Sequence, residues 1–433
     1  MTLSFRPIDR RRILTQTGVL AAGLAGMIHP SGASAQDATP GDEPTATPAP
    51  VQVGQVIEGA PTLTIWAEAS FVPSYAQASA QFTTDYGVNV IFQPYGFNDI
   101  ITNILRAAPT GNGPDLFDTN IDLLGQAYAA GLLSPVDFGP KLASFDERAV
   151  NGWTQQGAMY GAPIQIESLC VYRNPELVPE PVATWDQFRT VASGLLNSGV
   201  PYPFILGPNG YLFIGMLTAF GGYCFKYDPV TGTYDHNDVG LDNEGSIQAA
   251  QLLDEMVKQG WLSAGVSDDI AIQFWPQNQV GLLLAGPWIT AGLEEVGANF
   301  VIDPLPAGPA GPAVPWLSAR GFALNSFSPN VALAQSFLVD YWAADAPMTA
   351  YATAAQRESA WLPVKEATAT PTVQALIAAA ANAIPIPSDP LLSLYWPAVG
   401  DAQTTIINQA GDPAEAMRNA AKQVRDGVAA AGQ

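Results

Sequence analysis

Between residues 59 and 131 apolar runs alternate with amphipathic stretches at a regular spacing. Segments 63–66, 88–92 and 116–117 have the length and composition of strands, whereas 74–86, 98–108 and 122–130 carry apolar residues at helical spacing. Tyr75, Ala78 and Phe82 mark one face of the first predicted helix, and Ile100, Ile101, Ile104 and Leu105 one face of the second. Gly87 and Gly131 stand where the first and third should close, because glycine takes the left-handed cap conformation freely. The pattern restarts with a predicted strand at 168–172 and helices at 184–196, 211–220 and 244–259, followed by strands at 280–285 and 322–324. Pro–Gly clusters at 304–312 interrupt it, and neither half reads as a repeat of the other. Strand and helix alternating in this way predict an α/β fold of two units, with mostly parallel sheet covered by helices.

The apolar run Val280–Ala285 ends in Gly286-Pro287-Trp288. Glycine and proline stop a strand, and the next residue is the largest flat side chain available. In open α/β sheets the rim beyond the strand ends is where ligands sit. Acids stand at comparable places. Glu68 follows the first predicted strand, Asp122 follows the third, and Glu167 precedes the run 168–172. Such carboxylates serve as the acid and nucleophile of a glycosidase, or accept hydroxyl hydrogen bonds in a binding site. Asp122 also suits helix capping. Tyr211, Tyr395, Trp361 and Trp396 lie beside Gly or Pro or at element ends. Aromatic faces beside ionised acceptors are what a sugar ring and its hydroxyls require.

The amino terminus belongs to a different category. Asp9-Arg10-Arg11-Arg12 precedes a weakly apolar stretch over 18–28 and a small-residue cleavage site, Ala33-Ser34-Ala35. Residues 1–35 therefore read as a secretory signal, with the arginines favouring the twin-arginine route to an exported, periplasmic or cell-surface location. Residues 36–58, rich in Pro, Thr and Ala, read as a flexible linker. The whole chain carries a net charge of −22; four arginines and one aspartate leave with residues 1–35, so the remainder holds 13 basic and 38 acidic residues, a net −25. That charge disfavours nucleic acid and anionic lipid and favours a neutral ligand.

Enzyme machinery is sparse. Of two histidines, His29 belongs to the signal and His236 stands alone among turn formers, as an exposed loop residue would. No P-loop, nucleophile elbow or dinucleotide fingerprint is present, so neither a cofactor nor a metal is expected. The oxygen-rich segment 228–238 lacks the spacing of a calcium loop and reads as a solvated hairpin. Cys170 and Cys224 sit in apolar surroundings, as buried free thiols do.

Several ordered segments resemble the maltose/maltodextrin-binding proteins of ATP-driven sugar importers. They include Thr110-Gly111-Asn112-Gly113-Pro114-Asp115, Ala130-Gly131-Leu132-Leu133, Gly221-Gly222-Tyr223-Cys224-Phe225-Lys226-Tyr227, Asp238-Val239-Gly240-Leu241-Asp242-Asn243, Gly286-Pro287-Trp288, Ser328-Pro329-Asn330 and Tyr395-Trp396-Pro397-Ala398-Val399. The resemblance spans nearly everything after residue 60. It implies a two-lobed periplasmic-binding-protein fold with a ligand cleft between lobes and several hinge crossovers. Lobe one would comprise 59–166 plus 318–368, and lobe two 167–317 plus 369–433. It further implies a monomeric, non-catalytic receptor for maltose, maltodextrin or a related oligosaccharide, whose partners are the membrane permease subunits of an importer. A receptor for a different sugar or polyol, and a secreted glycosidase, remain the alternatives. By resemblance Trp288, Trp396 and Tyr211 would stack on or bond the sugar, and Glu167 and Asp122 would accept its hydroxyls. Ser70, Tyr395, Arg320 and Trp361 join them as further candidates, with Glu68 as a replacement contact. The sequence departs from the family pattern at Ser70, Phe71, Thr119, Leu123 and Asn209, which replace an Asp-Lys pair, a tryptophan, an arginine and a glutamate.

Overall fold

The computed structural model describes residues 48–432. The expected signal over 1–35, and the linker as far as residue 47, lie outside them. The described chain builds two principal sheets. The larger has eight strands; its path runs Val51–Gln52, Asn89–Tyr95, Thr62–Glu68, Leu116–Asn120, Trp316–Leu324, Gly161–Ser168 and Glu358–Ser359, and Ile384–Pro385 pairs onto Trp316–Leu324. The smaller has four, in the order Val301–Asp303, Cys170–Arg173, Val280–Ala285 and Tyr202–Ile205. Helices flank both sheets, in the two-lobed α/β arrangement of periplasmic binding proteins.

The expectation of mostly parallel sheet needs correction. Thr62–Glu68 runs parallel to both its neighbours, as βαβ units require. Trp316–Leu324, however, is antiparallel to Leu116–Asn120 on one side and to Gly161–Ser168 on the other. The smaller sheet is mixed too, with Val280–Ala285 parallel to Tyr202–Ile205 and antiparallel to Cys170–Arg173. The cause is the traffic between sheets. One strand leads out of the larger sheet and another leads back in beside it, so the two must run in opposite directions.

The outward crossing also corrects the single strand expected over 168–172. Ser168 ends a strand of the larger sheet, Leu169 is the step between, and Cys170 begins a strand of the smaller. A second correction concerns the linker expected over 36–58. Val51–Gln52 pairs antiparallel with Asn89–Tyr95, Val53 is buried, and the Asn89 carboxamide accepts from the Ile57 amide and donates to its carbonyl. The apolar Val51-Gln52-Val53 covers what would otherwise be an open sheet edge.

Most helices follow their local signals. Val72–Tyr86 closes on Gly87 at φ 64°, Trp185–Asn197 is capped by the Thr184 side chain, and Glu244–Lys258 by that of Asn243. The segment 228–238 does form a hairpin, Phe225–Asp228 with Thr233–Val239. His236 is not an exposed loop residue. It lies half-buried in the second hairpin strand, edge-on to Phe225, with Nε2 2.5 Å from Asp389 Oδ2. Cys170 and Cys224 are both buried and unpaired. No described helix is long and apolar enough to cross a membrane.

Candidate functional site

Strand parity assembles the floor of a cavity of about 500 Å³. Side chains of directly paired residues share a sheet face, as do those two apart on one strand. Arg320 pairs with Asn120 on one side and Gln165 on the other, and Ser318 pairs with Glu167. Asn120, Arg320, Ser318 and Glu167 consequently come together on one face, and all four line the cavity.

Arg320 organises this floor. Its Nε donates to Asn120 Oδ1 at 3.0 Å and its Nη1 to Asp118 Oδ2 at 3.0 Å, and the same nitrogen meets Glu68 Oε2. The guanidinium lies 4.7 Å from the ring centre of Phe71 and 5.1 Å from that of Phe97. Burial opposes its charge, but Asp118 and Glu68 more than offset that and push its pKa up. Asp118 is itself buried, and accepts further bonds from Tyr75 Oη and the Glu68 amide. Burial raises its carboxyl to about 6, with Arg320 opposing and Glu68 reinforcing. Asn120 occupies the cap position of the helix Ile121–Ala129, yet its side chain does not cap; it is taken by Arg320. Asp122 lies in the first turn of that helix, where the dipole favours a negative charge. Desolvation nevertheless raises it to about 6; the helix amide lowers it and the charge of Glu167 adds to the rise. Glu167 takes a bond from Gln165 Nε2 at 3.0 Å, and Gln165 is held in turn by Tyr351 Oη.

Aromatic residues from elements around the smaller sheet form the opposite wall. Asn209 caps the helix Gly210–Ala219 through its side chain and sets Tyr211 at the helix start, where Tyr211 Oη donates to the Trp316 carbonyl. Burial, then the charges of Glu167 and Asp122, hold the Tyr211 phenol well above its ordinary range, so it is a neutral donor. Trp288 follows the strand Val280–Ala285 in a short 3₁₀ turn, with Nε1 donating to Asp268 Oδ2 at 2.8 Å and its ring 6.3 Å from that of Tyr211. The glycine before it now has a steric reason. A Cβ at Gly286 would lie 2.0 Å from Trp288 Cζ3, because the indole folds back over the glycine. Gly286→Ala should therefore cost roughly 1–3 kcal/mol of stability and shift the tryptophan emission; an unchanged unfolding midpoint and spectrum would contradict this packing. Trp396 closes the wall, its ring 5.1 Å from Tyr395 and 6.0 Å from Trp316, edge-on to both.

Of the ten expected site residues, Glu68, Asp122, Glu167, Tyr211, Trp288, Arg320 and Trp396 line this one cavity. Ser70 is exposed and does not line it, but donates to Glu68 Oε1 at 2.9 Å. Two do not reach it. Tyr395 is fully buried because its helix turns it inward, where Oη donates to the Gly210 carbonyl. Trp361 is buried against Phe145, with Nε1 donating to Asp345. Both stand beside a turn in sequence, yet both rings pack into the core, Tyr395 bonded to a buried carbonyl and Trp361 to a carboxylate at the surface. Phe71, Phe97, Asn120, Leu123, Asn209 and Ser318 line the cavity without having been singled out as contacts. Strand parity was the available signal for Asn120 and Ser318. Among the described residues, no group of three or more His, Cys, Asp or Glu is placed to hold a metal ion.

Comparison with known proteins extends this geometry. The family model described as bacterial extracellular solute-binding protein matches residues 77–381. The galactooligosaccharide-binding protein of Bacillus subtilis (strain 168) is 23% identical over 391 residues, covering 85% of this chain and 90% of its own. The maltodextrin-binding protein MdxE of the same organism is 24% identical over 306 residues, 68% of this chain and 72% of its own. The maltotriose-binding protein of Pyrococcus abyssi (strain GE5 / Orsay) is 28% identical over 217 residues, 48% of this chain and 45% of its own.

Proposed function

The chain belongs to the bacterial extracellular solute-binding protein family, and from that premise we propose that it is an exported receptor for a maltodextrin-type oligosaccharide. It would capture the sugar in the cleft between its lobes and deliver it to the permease subunits of an ATP-driven importer. The observation that carries the reading is the pairing of two surfaces across one cavity: Trp288, Tyr211 and Trp396 on one side, Glu68, Asp122 and Glu167 on the other. Flat aromatic faces suit the C–H faces of sugar rings, and ionised carboxylates accept hydroxyl hydrogen bonds. The three relatives described above are named for the oligosaccharides they bind, which supports the same class.

In this reading lobe one is about 59–168 plus 316–368, so that the strands Gly161–Ser168 and Trp316–Leu324 stay whole, and lobe two about 170–315 plus 369–433, apart from Ile384–Pro385, which pairs onto the larger sheet; the step at Leu169 is among the hinges. Closure would follow from tighter contact with ligand in the closed state. The protein binds and does not hydrolyse. Asp122 and Glu167 then serve as acceptors, not as the acid and nucleophile of a glycosidase.

Titration by intrinsic fluorescence tests the proposal, since two tryptophans line the cavity. Maltose, maltotriose and longer α-glucans should give saturable changes and be recovered intact after prolonged incubation. Release of shorter sugars would overturn the receptor reading in favour of hydrolysis. A response confined to other sugars or polyols would overturn the maltodextrin assignment and leave the receptor standing.

A further inference from the structure

A second cavity, of about 330 Å³, opens between the helix Phe97–Ala107 and the strands Thr62–Glu68 and Asn89–Tyr95. It shares no lining residue with the cleft. Trp66 and Tyr95 form its floor, their rings 4.9 Å apart and inclined at 52°. Asn103 and Arg106 from the helix, with Thr110 and Asn112 from the turn after it, form the rim.

The lining is rich in donors and holds no carboxylate. Arg106 is exposed and in no ion pair among the described residues. Trp66 Nε1 and Tyr95 Oη have no hydrogen-bond partner there, and neither atom is sealed from solvent. An indole N–H and a guanidinium can only donate, and burial raises the Tyr95 phenol, so it too keeps its proton. The acceptors nearby are taken. The Ala107 carbonyl receives the Asn112 amide at 3.0 Å and Thr110 Oγ1 at 2.9 Å. Glu68, paired in register with Tyr95, is held by Arg320 and Ser70. Asp99, one turn before Asn103, folds Oδ2 back over Gly96, 2.7 Å from where a Cβ would stand. With 13 basic residues against 38 acidic after residue 35, an arginine in a cavity without an acid is an exception in this chain.

We propose that this cavity is a second ligand site, for a small organic acid whose carboxylate meets Arg106 and whose body rests on Trp66 and Tyr95. A carboxylate is all acceptor, and its two oxygens match the planar fork of a guanidinium. One cation balances one charge. A dianionic phosphate would bring a second charge into the field of a strongly acidic chain and find no second cation in the lining. The aromatic pair gives the rest of the molecule an apolar surface, as a sugar acid or a short organic acid requires. The inference does not depend on what fills the cleft, because no lining residue is common to the two.

Four probes test this on the full chain at pH 7 and low ionic strength: acetate, galacturonate, inorganic phosphate and, as the neutral match, galactose. In proton–nitrogen spectra of arginine-labelled protein the Arg106 side-chain signal should shift saturably with both carboxylates and not with galactose. Added salt should weaken the binding. Tighter binding of galacturonate than of acetate would identify a sugar acid as the ligand, and equal binding a simple organic acid. In calorimetric titration Arg106→Gln should lose roughly tenfold or more of the carboxylate affinity, the scale of a charged hydrogen bond. Its affinity for maltotriose should stay as in the parent protein, which also shows that the exposed substitution leaves the fold intact. Undiminished carboxylate binding in Arg106→Gln, or no saturable shift with either acid, would overturn the site. Phosphate bound as tightly as the carboxylates would overturn the choice of ligand. None of these outcomes bears on the oligosaccharide reading, which the maltotriose titration tests separately.

Discussion

Replacing Asp118 with alanine is expected to lower the folding free energy by about 3 kcal/mol, at the lower end of what removal of one partner from a buried ion pair costs. Asp118 is 1% exposed and its carboxylate receives Arg320 Nη1, Tyr75 Oη and the Glu68 amide. Its loss leaves those donors short and strips a buried guanidinium of one of two carboxylates. Glu68 keeps the cost from being larger. Urea unfolding at pH 7 measures the loss, and a midpoint shift worth less than about 1 kcal/mol would contradict the reading, because that is the scale of an exposed pair. The double variant Asp118→Leu with Arg320→Met should recover much of the stability, since a buried pair replaced as a unit leaves no orphaned charge. The pH dependence has a definite sign. The folded-state pKa of about 6 lies above the ordinary value of roughly 3.9, so the folded state binds this proton more tightly than the unfolded chain does. This group's contribution is therefore most favourable below about pH 4 and declines as pH rises through 6. Asp118→Asn should remove that slope.

Much of this architecture was legible in local pattern. The strand Val280–Ala285 begins and ends where its apolar run does, and Gly87 closes the helix before it. What periodicity could not convey is which sheet a strand joins. The apolar run through Leu169 looks continuous, yet its two halves belong to different sheets. The long strand Trp316–Leu324 was foreseen only at 322–324, because Ser318 and Arg320 interrupt its apolar character. Those polar residues are the ones that face the cavity, so the feature that hid the strand is the feature that makes the site. Arg320 and Asp118 illustrate the same limit. Their partnership joins positions about two hundred residues apart, and nothing local in either segment announces it. Trp361 and Tyr395 erred the other way: a position beside a turn suggested exposure, but both rings are buried, the phenol bonded to the buried Gly210 carbonyl and the indole reaching the carboxylate of the exposed Asp345.

Trp288→Ala should weaken sugar binding by roughly 1–3 kcal/mol, by analogy with aromatic stacking on nucleic-acid bases. The ring is positioned for this by three separate constraints: the 3₁₀ turn after Pro287, the absence of a Cβ at Gly286, and the bond from Nε1 to Asp268. A rigidly held aromatic face loses little entropy when a ligand settles on it. Phenylalanine at the same position separates stacking from orientation, because it keeps a face and loses the bond to Asp268. If stacking dominates, Trp288→Phe retains most of the affinity that Trp288→Ala loses. If the two variants lose equally, the Asp268 bond is what aims the ring, and Asp268→Asn should then preserve more affinity than Asp268→Leu, since a side-chain amide oxygen can still accept from Nε1. Unchanged affinity in a folded Trp288→Ala protein would return this tryptophan to the packing of the smaller sheet. The aromatic contacts would then come from Trp396 and Tyr211 alone, and Trp396→Ala would have to produce the larger loss.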